Sequence, residues 1–287
     1  MIPVSVLILT KNEEKDILGC LDSVSWSDDI QVLDSGSTDA TVRLAESRGA
    51  TVTHRPFDGY ASQRNAGLRL PFKHRWVMVL DADERLPAAL VGEMAAFVAS
   101  APSDVAGARI RRRDIWWGQW LKHAQISPFF IRLVRVGRAR YEREINEVMV
   151  VDGEVTDLSH SFDHFPFSKG LDHWIAKHNV YSRMEAEVIA SGQRGQPSLR
   201  QALFGADFNT RRVHQKGLFY RLPGRPFIKF AYMLMVRGAF LDGWAGIRYA
   251  ILQSIYEYFI VLKTREIQSE QAQKTRLVAH EDSHLQR

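Results

Sequence analysis

Two aspartates one residue apart, Asp81 and Asp83, follow the apolar run Trp76-Val77-Met78-Val79-Leu80. Carboxylates at the end of a buried strand can turn toward one shared hard cation, and oxygen ligands suit Mg2+ or Mn2+. A cation held there would neutralise a leaving diphosphate. An Asp-x-Asp pair alone is equally a solvated acidic turn; its place after a buried strand favours the metal. Asp34 closes an earlier short strand and precedes Ser35-Gly36-Ser37-Thr38-Asp39, a segment that opens a helix with capping residues. Capping accounts for Gly36 to Asp39 and leaves Asp34 over, where a carboxylate can accept a hydrogen bond from a nucleobase imide. Arg64, in Gln63-Arg64-Asn65-Ala66-Gly67, stands near the start of a helix, within reach of a base carbonyl or a phosphate. The plainer alternative is an exposed helix arginine.

The elements that must position these groups alternate regularly. Val4–Thr10, Ile30–Leu33, Ala50–Thr53 and Trp76–Leu80 read as strands. Glu14–Val24, Thr38–Arg48, Tyr60–Leu70 and Pro87–Ala99 read as helices between and after them, the last with Pro in its first turn. Such alternation predicts an α/β fold with a doubly wound, mostly parallel sheet. Ligands of such sheets sit outside the carboxyl ends of the strands, which is where Thr10, Asp34, Asp81 and Asp83 fall. Beyond Val105 the pattern changes. Ala106–Arg113, Phe129–Val136 and Val148–Val151 read as strands, and an Asp152-Gly153 turn joins the last to Val155. From Lys169 the chain turns helical to about Ala190, a Gly/Gln/Ser/Pro loop follows to Ser198, and the polar tail from Gln268 is expected to fray. The implied division is a domain at 1–168, with halves 1–104 and 105–168, and a helical extension at 169–287.

With 45% hydrophobic and 25% charged residues the chain can build a sizeable core. A net charge of +5 suggests an anionic partner without choosing among them. A single cysteine, Cys20, excludes an intrachain disulfide and a cysteine-rich zinc site, and its apolar helical setting makes it a packing thiol. The first residues lack a basic region and the apolar run is too short to span a bilayer, so the protein is expected to be cytoplasmic.

Four segments occur in order: Thr10-Lys11-Asn12-Glu13-Glu14, Asp34-Ser35-Gly36-Ser37-Thr38-Asp39, Arg64-Asn65-Ala66-Gly67 and Asp81-Ala82-Asp83-Glu84. Over about residues 1–100 the chain resembles the family 2 glycosyltransferases, inverting enzymes of the GT-A fold. The resemblance implies Thr10, Asn12, Glu13, Asp34 and Arg64 around a nucleotide-sugar, and Asp81 and Asp83 around the metal and diphosphate. Asp34 and Arg64 fit uracil best, so a UDP-hexose is implied. Ser35 departs from the family, many of whose members carry a second aspartate there. Later segments, Glu144-Ile145-Asn146-Glu147, Asp152-Gly153-Glu154-Val155, Asp163-His164, Arg225-Pro226-Phe227 and Gly238 to Gly246, resemble the lipopolysaccharide core β-1,4-glucosyltransferase branch. That branch usually shows His-Glu where this chain has Asn146-Glu147.

Inversion needs a carboxylate that takes the acceptor hydroxyl's proton, opposite the leaving diphosphate. Asp114, Glu144, Glu147, Asp157 and Asp163 are the candidates. Glu147, which matches the glutamate of the family's pair and precedes a strand, is the expected catalytic base. Trp116 and Trp117, in Trp116-Trp117-Gly118-Gln119-Trp120, could stack on a sugar or pack in the core. His160 and His164 stand four apart, a metal-binding spacing on a helix, yet the Ser, Asp, Phe and Pro around them disfavour one. His164 is left as a diphosphate or metal contact, or as a structural histidine.

Between Asp207 and Asp242 there is no acidic residue, while Arg211, Arg212, Lys216, Arg221, Arg225, Lys229 and Arg237 alternate with aromatics and aliphatics. A basic, aromatic-rich amphipathic stretch fits the inner membrane surface, where a glycolipid or glycan acceptor would lie. No nucleic-acid motif is present. Two alternatives stand beside this reading. A nucleotidyltransferase would open with a Gly-rich phosphate loop, whereas Lys11-Asn12-Glu13-Glu14 has no glycine; a non-catalytic binding module would not need both Asp81 and Asp83.

Overall fold

The structure is a computed structural model describing residues 1–142, 147–192, 196–206 and 208–285. Glu144, Ile145 and Asn146 lie outside the described residues. The chain divides into two compact units, Met1–Lys169 and Gly170–Arg287.

The first unit opens with β1 (Val4–Thr10), α1 (Ile17–Ser23), β2 (Ile30–Asp34), α2 (Thr41–Ser47), β3 (Thr51–His54), α3 (Tyr60–Gly67) and β4 (Trp76–Asp81). Strands β3-β2-β1-β4 are neighbours and all parallel. The apolar runs of β1 and β4 are continuous because both faces are covered. Val4, Val6 and Ile8 join one core with Ile17 and Leu21 of α1, while Leu7, Val77 and Val79 join a second with Ala61 of α3. Gly67 permits that second contact: a Cβ there would lie 2.8 Å from Leu7 Cδ2.

The unit continues with β5 (Glu84–Arg85), α4 (Ala88–Ser100), β6 (Val105–Trp116), β7 (Gln119–Trp120), β8 (Phe129–Arg135), β9 (Ala139–Glu142), β10 (Val148–Val151) and β11 (Glu154–His164). The sheet extends past β4 in the order β8-β6-β11-β5. Strand β8 is antiparallel to both neighbours, and β11 is parallel to β6. The fold is thus α/β of the GT-A type, parallel in its first half and mixed in its second.

The Asp152-Gly153 turn joins β10 to β11 as expected, but these two strands do not pair: β10 pairs with β9 and β11 with β6. Gly153, at φ 140, lies so close to the start of β6 that a Cβ would meet Asp104 O and Ala106 Cβ, each at 2.7 Å. The turn therefore passes the chain back onto the main sheet.

The second unit is helical: α5 (Leu171–Ala190), α6 (Leu199–Phe204), α7 (Phe208–Phe219), α8 (Arg225–Ala231) and α9 (Gly243–Leu285). Between α8 and α9 lie a π-helical turn, Tyr232–Val236, and a 3-10 turn, Ala239–Asp242. Helix α9 runs on through the polar tail as far as Leu285. Arg225, within the expected basic stretch, is buried beside Glu257 at 2.8 Å and does not belong to a solvated face. Among the described residues, no helix is long and apolar enough to cross a membrane.

Candidate active site

The carboxyl ends of β1, β2 and β4 stand side by side, with Thr10 opposite Asp34 and Leu9 opposite Asp81. A cavity of about 330 Å³ opens there, lined by Thr10, Lys11, Ser35, Gln63, Arg64 and Asp81 among others. Phe57 and Tyr60 form an aromatic corner of its wall, edge to face at 5.0 Å. An open, partly apolar cavity with an arginine and a carboxylate at one side suits a flat heterocycle bearing a charged tail.

Asp34 does not line this cavity. It is fully buried, and its carboxylate accepts from Thr10 Oγ1 (3.0 Å), Gly36 N (2.9 Å), Ser37 N (2.8 Å) and Ser37 Oγ (2.5 Å). Burial alone would raise Asp34, but those donors outweigh it and hold the carboxyl below its usual range. Its carboxylate orders the loop that carries Ser35, rather than standing open to an imide. Ser35 in turn accepts from Gln63 Nε2 at 2.9 Å, with Gln63 fastened to Arg55 at 2.6 Å.

Asn12 also serves that loop. Its backbone is left-handed at φ 55, its N–H donates to Ser37 Oγ at 2.8 Å, and its Oδ1 accepts from Thr38 N at 2.8 Å. Glu13 donates its N–H to Thr41 Oγ1 at 2.7 Å and accepts from Lys169 Nζ at 2.6 Å. Burial pushes Glu13 up to about 7, and Lys169 opposes that rise less strongly.

A dense charge network fills the end of β4. Arg64 Nη2 donates to Asp81 at 2.9 Å, and Arg64 Nε donates to Glu147 at 3.1 Å. Arg132, from the middle of β8, reaches Asp81 at 3.2 Å and pairs with buried Glu84. Burial would raise Asp81, but Arg64 and then Arg132 hold it well below the usual carboxylate range. Burial pushes Glu84 upward even with Arg132 against it. Asn65 explains its own place in the motif, exchanging two hydrogen bonds with the Tyr141 backbone at 2.7 and 2.8 Å.

Asp83 sits beside a second group. His164 Nε2 is 3.3 Å from Asp83, and its Nδ1 is 2.5 Å from buried Asp114. Burial would lower His164; hydrogen bonds to Asp114 and then Asp83 overcome it and push the ring up to about 10. His160, four residues away, bonds Glu93 at 2.9 Å and takes no part. The side chains of Asp81 and Asp83 keep 33% and 30% of their surface exposed. Among the described residues no group of three ligating side chains is ready-made for a metal. The donor set nevertheless fits a hard cation of the Mg2+ kind, which takes one or two carboxylates and completes its shell with water and substrate phosphates.

Trp117 and Gly118 make a two-residue turn between β6 and β7, at φ 49 and 72. Trp116 is buried between Trp117 and Phe167, with ring centroids at 4.5 and 4.2 Å, whereas Trp117 is 66% exposed. Cys20 is buried as a packing thiol, and burial raises its pKa.

Arg132, Phe57, Tyr60 and Gln63 were not singled out from the sequence. A lone arginine inside Phe129-Phe130-Ile131-Arg132-Leu133-Val134 was an available signal, since an inward charge in a strand needs partners. Phe57 and Tyr60 carried none.

A family model described as glycosyl transferase family 2 matches residues 5–159, more than half of the chain. The chain belongs to glycosyltransferase family 2. This glycosyltransferase is 28% identical over 273 residues to the lipopolysaccharide core biosynthesis glycosyltransferase LpsC of Rhizobium meliloti (strain 1021), covering 91% of this chain and 92% of that one. An uncharacterized glycosyltransferase of Rickettsia bellii (strain RML369-C) is 39% identical over 102 residues, 35% of this chain and 34% of its own. The mannosyltransferase PcManGT from Pyrobaculum calidifontis, solved in complex with GDP-Man and Mn2+, superposes with a TM-score of 0.52. That match covers 92% of this chain and 87% of the other at 16% identity, a likeness of fold. The enzyme therefore transfers a sugar from a nucleotide-sugar.

Proposed function

We propose that the enzyme transfers a hexose from a UDP-sugar, with inversion and a divalent cation, to a glycolipid such as lipopolysaccharide core at the inner membrane surface. The observation that carries the reading is the convergence of Arg64, Asp81 and Glu147 beside the cavity at the strand ends. The base lies between Phe57 and Tyr60, near Ser35 and Gln63, on a loop that Asp34 and Asn12 keep in shape. Asp83 and Asp81 would hold the cation, which would offset the charge of a departing diphosphate, and the charged His164 beside Asp83 is suited to contact the diphosphate. Glu147 takes the proton of the acceptor hydroxyl as its oxygen bonds to the anomeric carbon and the bond to the diphosphate breaks. Trp117, exposed on its turn, offers a face to the acceptor sugar, with Trp116 stacked behind it as support.

The similarity to LpsC over nearly the whole of both chains favours a lipopolysaccharide acceptor, and the basic C-terminal unit favours a membrane surface. A thermal-shift screen of UDP-, GDP-, TDP- and CMP-sugars with Mn2+ tests the donor; the largest stabilisation is expected from a UDP-sugar. Asp83→Ala should lower transfer at least ~100-fold, the scale of one lost electrostatic stabiliser, with its melting temperature kept. Full activity in EDTA would remove the cation from the mechanism.

A further inference from the structure

The helical unit contains a cavity of about 490 Å³ that glycosyl transfer at the strand ends does not use. Its walls are aromatic, from Phe219, Tyr220, Tyr232 and Tyr256, and its charges come from four helices. Two carboxylates line it, and both are engaged. Glu185 accepts from Lys216 Nζ at 2.9 Å and from Tyr220 OH at 3.0 Å. Glu257 faces Arg225 at 2.8 Å, close enough for an ion pair though not aligned as a hydrogen bond.

Three cations line the same cavity, and one of them, Lys216, is the partner of Glu185. Among the described residues, the side chain of neither Arg212 nor Lys229 has a hydrogen-bonding or ion-pair partner. Lys229 is half-buried, and burial lowers its pKa; Glu257 opposes the shift, while Arg237 and Lys216 add to it. A desolvated ammonium with other cations near it gains most from an incoming anion. An arginine fork and a lysine point charge together match a phosphate.

What else the ligand carries follows from the neighbouring surface. Ile228, Lys229 and Tyr232 line the cavity, and Phe227, Met235 and Val236 on the same helical run are 80%, 78% and 73% exposed. The run is interrupted at this point by the π-helical turn, closed by Arg237 N–H donating to Tyr232 O at 3.0 Å. Such turns recur at functional sites because they realign side chains within a helix. A cationic, aromatic-walled cavity beside an exposed apolar ridge fits an amphiphile better than a small ion.

From this arrangement we infer that the cavity between α7, α8 and α9 binds the phosphate headgroup of a lipid, with Lys229 and Arg212 on the phosphate. The inference rests on the membrane-surface reading only for the source of the lipid. It gives the second unit a defined headgroup site in place of diffuse attraction to anionic surface.

Isothermal titration of the full chain with monomeric dihexanoyl phosphatidic acid tests it. Saturable binding is expected, weakened at least ~10-fold in Lys229→Met and in Arg212→Gln, the scale of losing one charge-assisted hydrogen bond. Arg43→Gln, which removes the same charge from the first unit, should bind as wild type does. Lys229→Met removes a half-buried charge and should fold; Arg212→Gln alters an exposed residue and guards against misfolding of the other. Inorganic phosphate binding as tightly as the lipid would make this a free-phosphate site and overturn the lipid assignment. Absence of saturable binding, or equal losses in Arg43→Gln, would overturn the site itself. UDP affinity, measured in parallel, should be unchanged in Lys229→Met; its failure in wild type would count against the donor reading and leave the headgroup site standing.

Discussion

The two ends of β2 each carry a buried aspartate, and they are satisfied in the same way. Asp29, just before the strand, accepts from Ser5 Oγ at 2.5 Å, Lys73 N at 2.7 Å and Gln31 Nε2 at 2.8 Å. Asp34, at its far end, accepts from the four donors of its own loop and of Thr10. Two strands away the carboxylate of Asp81 is held differently, by Arg64 and Arg132, and stays one-third exposed at the wall of a cavity. Carboxylates closed off by neutral donors shape backbone. A carboxylate balanced by arginine charge beside open space can exchange partners when a ligand arrives. The first type is architecture even when it lies at the ligand end of the sheet, as Asp34 does.

The comparison breaks most severely at Arg132. Arg132→Met leaves Glu84 buried without its counter-charge and removes one of the two arginines on Asp81. Breaking a buried pair in this way costs about 3–5 kcal/mol. Chemical denaturation should show that loss, together with reduced transfer. Stability within ~1 kcal/mol of wild type would mean the network is dispensable to the fold, and that its charges serve only the ligand. Glu84→Gln placed on Arg132→Met should recover part of the loss, because it removes the stranded charge.

Much of this was legible in advance, for physical reasons that differ by region. Strand β1 occupies Val4–Thr10 as its apolar run predicts, since a strand covered on both faces leaves no room for polar alternation. Helix α3 stops at Gly67, short of the expected Leu70, where a glycine packs against Leu7. Arg64 and Glu147 meet although 83 positions separate them, a contact that no periodicity encodes and that the separate roles expected of the two residues did not anticipate. The burial of Asp34 was invisible for a related reason: strand-end position is readable, whereas the number of donors that will surround a carboxylate is not. Arg132 was readable in principle, as the single charge in an apolar run.

The next effect concerns Glu147, whose partner Arg64 joins it to Asp81. If Glu147 is the base, Glu147→Gln should lose ~10²–10⁴-fold in turnover, the usual contribution of a positioned general base. Glutamine still accepts a hydrogen bond from Arg64, so affinity for the nucleotide-sugar should stay near native by calorimetry. Turnover within threefold of wild type would reduce Glu147 to a structural partner of Arg64 and direct attention to Asp114, which already bonds His164.

The smallest effect tests the architectural class at the end of the sheet away from the cavity. Burial would raise Asp29, but the donors Ser5, Lys73 and Gln31 more than offset it and the carboxyl lies below its ordinary value. A folded-state pKa below the unfolded one contributes stability that is present above the unfolded value, about 3.9, and is lost as pH falls through the folded value. Asp29→Asn replaces one accepting oxygen by an amide donor facing other donors, so it should cost about 1–3 kcal/mol at neutral pH. That deficit should shrink steadily as the pH drops below about 4, where the unfolded chain takes up the proton first, and vanish once the pH passes the lower folded value and wild type loses the same charge. Donor affinity at neutral pH should not move, because no residue that bonds Asp29 lines the cavity at the strand ends. A deficit of constant size from pH 7 down to pH 3 would show that the loss comes from altered packing around Ser5 and Lys73 and not from the charge on Asp29.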